Sequence, residues 1–260
     1  NMMGELAAAA VLLAATLKLK GALVLQIMGK GAIRLLVVEC SGDMKLRATA
    51  KWSDELLSSH AASASLPELI GDGRFAITLD PKDGGPTYQG IVELAGNSVA
   101  DILQNYMSQS EQLESRLWLA ADGNNAAGML LQKLPEQINP SAEHEPDSDA
   151  WNRATTLADT LTPQELLQLP AQEVVKRLYH EEDIRLFEAQ QVAFRCTCSR
   201  ENVANMFKML GREEVDSILQ EQGALEVHCD FCNQRYEFDK VDAELMFVEA
   251  IVLPPSDSRH

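Results

Sequence analysis

Four of the chain's five cysteines fall in its last quarter as two close pairs, Cys196-Thr-Cys198 and Cys229-Asp-Phe-Cys232. Each pair presents two sulfurs from one tight turn, and the thirty residues between the pairs suffice to bring the turns together. Four thiolates delivered this way suit a tetrahedral Zn2+ site, so Cys196, Cys198, Cys229 and Cys232 are the expected metal ligands. Cys-x-Cys is the rarer spacing, since zinc ribbons and fingers mostly use spacers of two to four residues. The ordinary role of such a site is structural. The same closeness also permits a disulfide within each pair without rearranging the rest of the chain. Zinc keeps its sulfurs as thiolates, the form that attacks peroxide.

Other residues of reactive type read as structure. Cys40 ends an apolar run, Leu35-Leu36-Val37-Val38, and has no partner at metal spacing, so it reads as a half-buried small hydrophobe. His228 adjoins Cys229, but four thiolates already complete a tetrahedral shell. His180-Glu181-Glu182 reads as a solvated helix end. Gly29-Lys30-Gly31 and Gly71-Asp72-Gly73 lack the third glycine of a dinucleotide loop and read as turns. The sequence holds no Gly-x-x-x-x-Gly-Lys-Ser/Thr loop and no evident nucleophile–base arrangement.

Composition narrows the partners. With 22 basic and 39 acidic residues the formal net charge is −17. Phosphate repulsion argues against nucleic acid, and anionic lipid is disfavoured for the same reason. A strongly charged chain stays soluble while exposing apolar surface, because self-repulsion opposes association. The apolar run Leu6–Leu17 lacks a basic flank and a small-residue cleavage pattern. It reads as a buried alanine-rich helix, not a signal peptide or membrane span. Cysteines without a secretory signal point to a reducing compartment, hence the cytoplasm.

The elements that must position the cysteines follow from periodicity. A helix over 2–17 precedes strands near 23–28, 33–39 and 46–51, and a second pair at 75–79 and 88–94. Ser98 caps an amphipathic helix with Val99, Ile102, Leu103 and Tyr106 on one face, and strands follow at 116–120 and 129–133. Without βαβ regularity this is an α+β domain with a mixed sheet, residues 1–135. Residues 136–190 form a linker. It opens with a Pro/Ser/Glu/Asp-rich stretch over 135–149 and continues as short helices, one started by the capping box Thr162-Pro163-Gln164-Glu165. These helices are too short to be stable alone and must dock on something. Residues 191–260 form a small α+β module: a helix capped by Ser199 and ended by Gly211, a second helix around Val215–Leu219, and a hairpin, 224–228 and 234–238, with Cys229–Cys232 at its tip. So small a core predicts that a metal stabilises the fold directly.

The segment Phe194-Arg195-Cys196-Thr197-Cys198-Ser199-Arg200-Glu201, then Glu213-Glu214-Val215, His228-Cys229-Asp230-Phe231-Cys232-Asn233 and Tyr236-Glu237-Phe238, closely resembles the redox switch of the bacterial heat-shock protein 33 family. Five further segments resemble that family in the same order: Thr16-Leu17-Lys18, Tyr88-Gln89-Gly90-Ile91-Val92, Ser110-Glu111-Gln112-Leu113, Gly128-Met129-Leu130-Leu131-Gln132 and Leu178-Tyr179-His180-Glu181-Glu182. The resemblance covers essentially the whole chain. It implies a redox-regulated, ATP-independent holdase chaperone, not an enzyme, with one Zn2+ in the reduced, inactive state. It further implies that oxidation forms Cys196–Cys198 and Cys229–Cys232 disulfides with zinc release, that switch and linker unfold, that unfolded client proteins bind, and that the active form is a homodimer. Family members carry several tens of residues before the segment matching Gly4–Leu17, so an upstream segment is expected. Two other readings remain: a thiol-disulfide oxidoreductase using Cys229/Cys232, and a structural zinc module serving a constitutive binding domain.

Overall fold

The computed structural model of the chain describes residues 1–17, 20–58, 64–134, 147 and 149–248. Most of the acidic, proline-containing stretch expected over 135–149 lies outside them. Two compact units emerge, Asn1–Arg195 and Cys196–His260.

In the first unit, helix α1 (Met2–Thr16) buries Leu6, Ala9, Ala10, Leu13 and Ala14, the i, i+3, i+4, i+7, i+8 stripe of one helical face. Three of the five are alanines, so the backbone lies close to the strands beneath. Strands β1 (Gly21–Gly29), β2 (Ile33–Ser41) and β3 (Lys45–Trp52) follow, then short helices α2 (Asp54–Ser58) and α3 (Leu66–Ile70), then β4 (Gly73–Pro81) and β5 (Tyr88–Glu93). In the sheet β1 lies between β2 and β4, antiparallel to both, with Leu25 opposite Val38 on one side and Ile77 on the other. Leu23, Leu25 and Ile27 alternate inward and are fully buried, as period-two spacing requires.

Helix α4 (Val99–Gln109) starts at the expected cap. Ser98 Oγ accepts from the Asp101 backbone N–H at 3.1 Å, and the Asp101 carboxylate accepts the Ser98 N–H at 3.1 Å. Its inward face is the expected one, Val99, Ile102, Leu103 and Tyr106. Strands β6 (Ser115–Ala121) and β7 (Ala126–Gln132) form a separate hairpin that packs on α1, with β6 also against α4.

Helices α5 (Ala150–Ala158), α6 (Pro163–Gln168) and α7 (Ala171–Leu178) follow. The expected capping box starts α6: Thr162 Oγ1 accepts from the Glu165 N–H at 3.2 Å. These short helices dock on the β6–β7 hairpin through α6, burying Leu166. Asp159, at the end of α5, accepts hydrogen bonds from Arg116 Nη2 at 3.0 Å and Trp118 Nε1 at 3.1 Å, both on β6. Tyr179 Oη donates to the Ala154 carbonyl at 3.1 Å, and Arg153 pairs with Glu182 at 2.6 Å. The unit ends in a two-residue strand, β8 (Ala193–Phe194), parallel to β3. The sheet order is thus β5-β4-β1-β2-β3-β8, six strands and mixed, in agreement with the α+β expectation.

The second unit contains α8 (Arg200–Leu210), α9 (Arg212–Gln222), β9 (Leu225–His228), β10 (Arg235–Phe238) and α10 (Lys240–Phe247). Ser199 caps α8 as expected, accepting from the Asn202 N–H at 3.1 Å, and Gly211, at φ 93°, ends it. Among the described residues its buried core comprises Phe207, Val215, Leu225, Phe238, Ala243 and Met246. Phe207 meets Phe238 edge-on with ring centroids 5.7 Å apart, and the Arg200 guanidinium lies 4.0 Å over the Phe238 ring.

Candidate metal centre

The β9–β10 hairpin fixes one cysteine pair at its tip. The Cys229 N–H donates to the Gln234 carbonyl at 3.0 Å, and the Asn233 N–H donates to the Cys229 carbonyl at 2.8 Å. Asn233 takes a left-handed conformation, φ 59°, which asparagine tolerates better than most residues. This knuckle turns both sulfurs to one side. The other pair sits in the extended segment leading into α8, directly before the Ser199 cap.

All four sulfurs converge. Each lies within 4.8 Å of the other three. Between the pairs, Cys196 Sγ is 3.6 Å from Cys229 Sγ, and Cys198 Sγ is 3.4 Å from Cys232 Sγ. A tetrahedron with metal–sulfur bonds of about 2.3 Å has edges of about 3.8 Å, so donor set and spacing fit a tetrahedral, thiophilic ion. All four are free thiols of intermediate exposure.

The sulfurs do not titrate alike. Burial raises the Cys196 thiol, but the Cys198 backbone N–H and hydrogen bonds from the other three thiols outweigh it, drawing Cys196 down to about 6. Cys232 is favoured as thiolate by the Gln234 backbone N–H. Its hydrogen bond to Cys198, with burial and the remaining sulfurs, prevails and pushes it up to about 12. Four close sulfurs stabilise the first negative charge and resist the later ones, which is the electrostatic strain that a divalent cation relieves.

Sequence reasoning missed one group at the centre. Tyr236 Oη donates to Cys198 Sγ at 3.1 Å. Its signal was period two: Tyr236 shares a strand face with the buried Phe238, which turns the phenol inward near the hairpin tip. The residues set aside do not join the four-sulfur cluster. Cys40 is fully buried at the end of β2, its thiol pushed up to about 11 by burial and then by Asp43. His228 is half exposed and faces Glu226 at 3.8 Å, and His180 is exposed beside Glu181. Among the described residues no helix is long and apolar enough to cross a membrane.

The chain is thus a mixed-sheet α+β unit followed by a small module whose four clustered cysteines could hold a metal ion. Residues 1–239 match the family model described as Hsp33 protein. The 33 kDa chaperonin of Methylobacillus flagellatus is 56% identical over 99% of this chain and 85% of its own length, and that of Chromobacterium violaceum is 47% identical over 100% and 85%. The crystal structure of a 33 kDa chaperonin from Thermotoga maritima superposes with a TM-score of 0.76, covering 94% of this chain and 83% of that one; at 22% identity this likeness speaks for the fold. The chain belongs to the Hsp33 family of chaperones.

Proposed function

We propose that this protein is a redox-regulated, ATP-independent holdase whose four-cysteine centre keeps it inactive while reduced. The observation that carries the reading is the match between a four-thiol cluster and a module whose core, among the described residues, buries six hydrophobic side chains. Cys196, Cys198, Cys229 and Cys232 would hold one Zn2+. Bound there, zinc supplies charge neutralisation for four thiolates and a cross-link between the two cysteine segments. Structural zinc contributes roughly 10–16 kcal/mol of apparent folding free energy in small metal-folded peptides. A whole domain is stable by only about 5–15 kcal/mol. A unit with this core therefore loses its fold with its metal.

Activation follows from the ligands' own chemistry. Each pair, Cys196–Cys198 and Cys229–Cys232, loses two electrons as its disulfide forms. One hydrogen peroxide per pair accepts them and, with two protons taken from solvent, leaves as two waters. Disulfide sulfurs are neutral and poor ligands, so the cysteines no longer retain the metal. Loops this short restore little stability, since loop-closure stabilisation shrinks with loop length. In this scheme 1–135 is the chaperone core, 136–190 the responsive linker and 191–260 the switch. Opening the linker exposes apolar surface to unfolded clients, and the oxidised form acts as a homodimer in the cytoplasm without nucleic-acid or membrane partners. The −17 charge keeps such a surface in solution. The test is aggregation of a heat-unfolding client enzyme. Peroxide-treated protein should suppress it and reduced, zinc-loaded protein should not; equal suppression by both removes the switch.

A further inference from the structure

Within the Asn1–Arg195 unit the end of α1, strands β4 and β5, and α4 enclose a cleft of about 260 Å3. That is far more than the ~30 Å3 of one water. It falls just under the roughly 300 Å3 at which small-molecule sites begin. The cleft is large enough to admit a large side chain. Leu13, Ile77, Leu79 and Met107 make it apolar, and Glu111 closes one end.

The polar end is built. Tyr106 Oη donates to Glu111 Oε1 at 2.7 Å, and Tyr88 Oη donates to the same oxygen at 3.2 Å. The two phenol oxygens also lie 3.4 Å apart, and with one hydrogen each both phenols spend it inside this cluster, on Glu111 or on each other. What these three groups offer a newcomer is acceptor atoms and a negative charge. Tyr106 is 1% exposed, with Phe75 edge-on to its ring at 5.9 Å. Gly90 makes room for it, since a Cβ there would come within 2.6 Å of the phenol oxygen. Four of the five segments outside the cysteine module that resemble the family meet at this cleft, through Leu17, Tyr88, Glu111 and Gln132. The redox scheme uses none of them.

We propose that this cleft binds an extended polypeptide segment carrying a large apolar side chain and, two residues away, a lysine or arginine. In an extended chain residues i and i+2 share a face, so one enters the apolar cavity while the other reaches Glu111. Charge complementarity selects this occupant: the cleft ends in a carboxylate whose phenol neighbours have no hydrogen left to give. The inference rests on the chaperone reading. It names a recognition element for clients on the core unit, independent of the cysteines.

The experiment titrates the full chain, reduced with zinc and oxidised, into two fluorescein-labelled peptides that differ only in carrying Leu-x-Arg or Leu-x-Glu. The Leu-x-Arg peptide should bind more tightly in both states. Glu111→Gln keeps an oxygen for the two phenols and should weaken that peptide about tenfold without weakening the other, so that the preference collapses. Glu111→Lys should reverse the preference. Both variants binding both peptides as the parent does would overturn the proposal. Glu111-dependent self-association without peptide binding would do the same by assigning the cleft to a second copy of the chain. The two readings fail separately. Redox-gated client holding with Glu111-independent peptide binding rejects only the cleft; Glu111-dependent peptide binding with ungated holding rejects only the switch.

Discussion

Tyr236 on β10 donates its hydroxyl to Cys198 Sγ at 3.1 Å, so the hairpin that carries the second cysteine pair also grips the first. A hydrogen bond to a charged acceptor contributes about 1.5–3 kcal/mol. Tyr236→Phe keeps the ring and removes that bond. The expected result is zinc affinity lowered by about tenfold or more, of the size seen when outer-shell partners of metal ligands are removed, and faster alkylation of Cys198 than of Cys229. Competition with a chromogenic chelator and mass mapping of alkylated peptides check this. Unchanged affinity and alkylation would mean the phenol only fills space.

Asp159 joins the α5–α7 segment to the β6–β7 hairpin through Arg116 and Trp118. Its ion pair is half exposed and worth at most about 1 kcal/mol, and the indole hydrogen bond adds about 1 more. Asp159→Ala should loosen α5–α7 by about 1–2 kcal/mol. Hydrogen exchange should speed in those helices while β1 and β4 stay protected, and reduced protein should gain weak client binding. Exchange unchanged in α5–α7 would refute the tether.

Cys40 gives a pH dependence separable from the metal centre. Burial raises its thiol from 9.0 to about 11, so the folded state binds the proton more tightly than the unfolded state. Its contribution is fully present below pH 9 and is lost as pH rises through about 11. Two pK units correspond to about 3 kcal/mol. Cys40→Ala should shift overall stability by its cavity cost and flatten the decline between pH 9 and 11, read from denaturant midpoints. A parallel decline in both proteins would contradict the assignment.

Metal removal should unfold the cysteine module and leave the sheet of the first unit intact. With a chelator under reducing conditions, α8, α9 and α10 should lose hydrogen-exchange protection while α1 and the β1–β4 core of the sheet keep theirs. Retained protection in α8–α10 would show that the six-residue core suffices.

The thiol centre was legible because cysteine spacing is local: two residues of a turn dictate where two sulfurs can point. Helix starts at Ser98, Thr162 and Ser199 were legible for the same reason, as were the alternating strands. What remained hidden depends on chain segments far apart. Nothing in the period of Gly21–Gly29 says that it will lie between β2 and β4, or that Ala193–Phe194 will pair with Lys45–Leu46. Helix α10 was missed because its capping box uses Asp239 and Asp242 in place of the usual Ser/Thr and Glu/Gln. The Tyr88–Glu111–Tyr106 cluster draws on three elements, and only the folded sheet brings them together.

The most direct test of the central claim is a peroxide titration of reduced, zinc-loaded protein, following zinc release and suppression of client aggregation in the same samples. Both should rise together, with one zinc released per chain and two disulfides, Cys196–Cys198 and Cys229–Cys232, at the plateau. Full suppression of aggregation while zinc stays bound to four thiolates would contradict it.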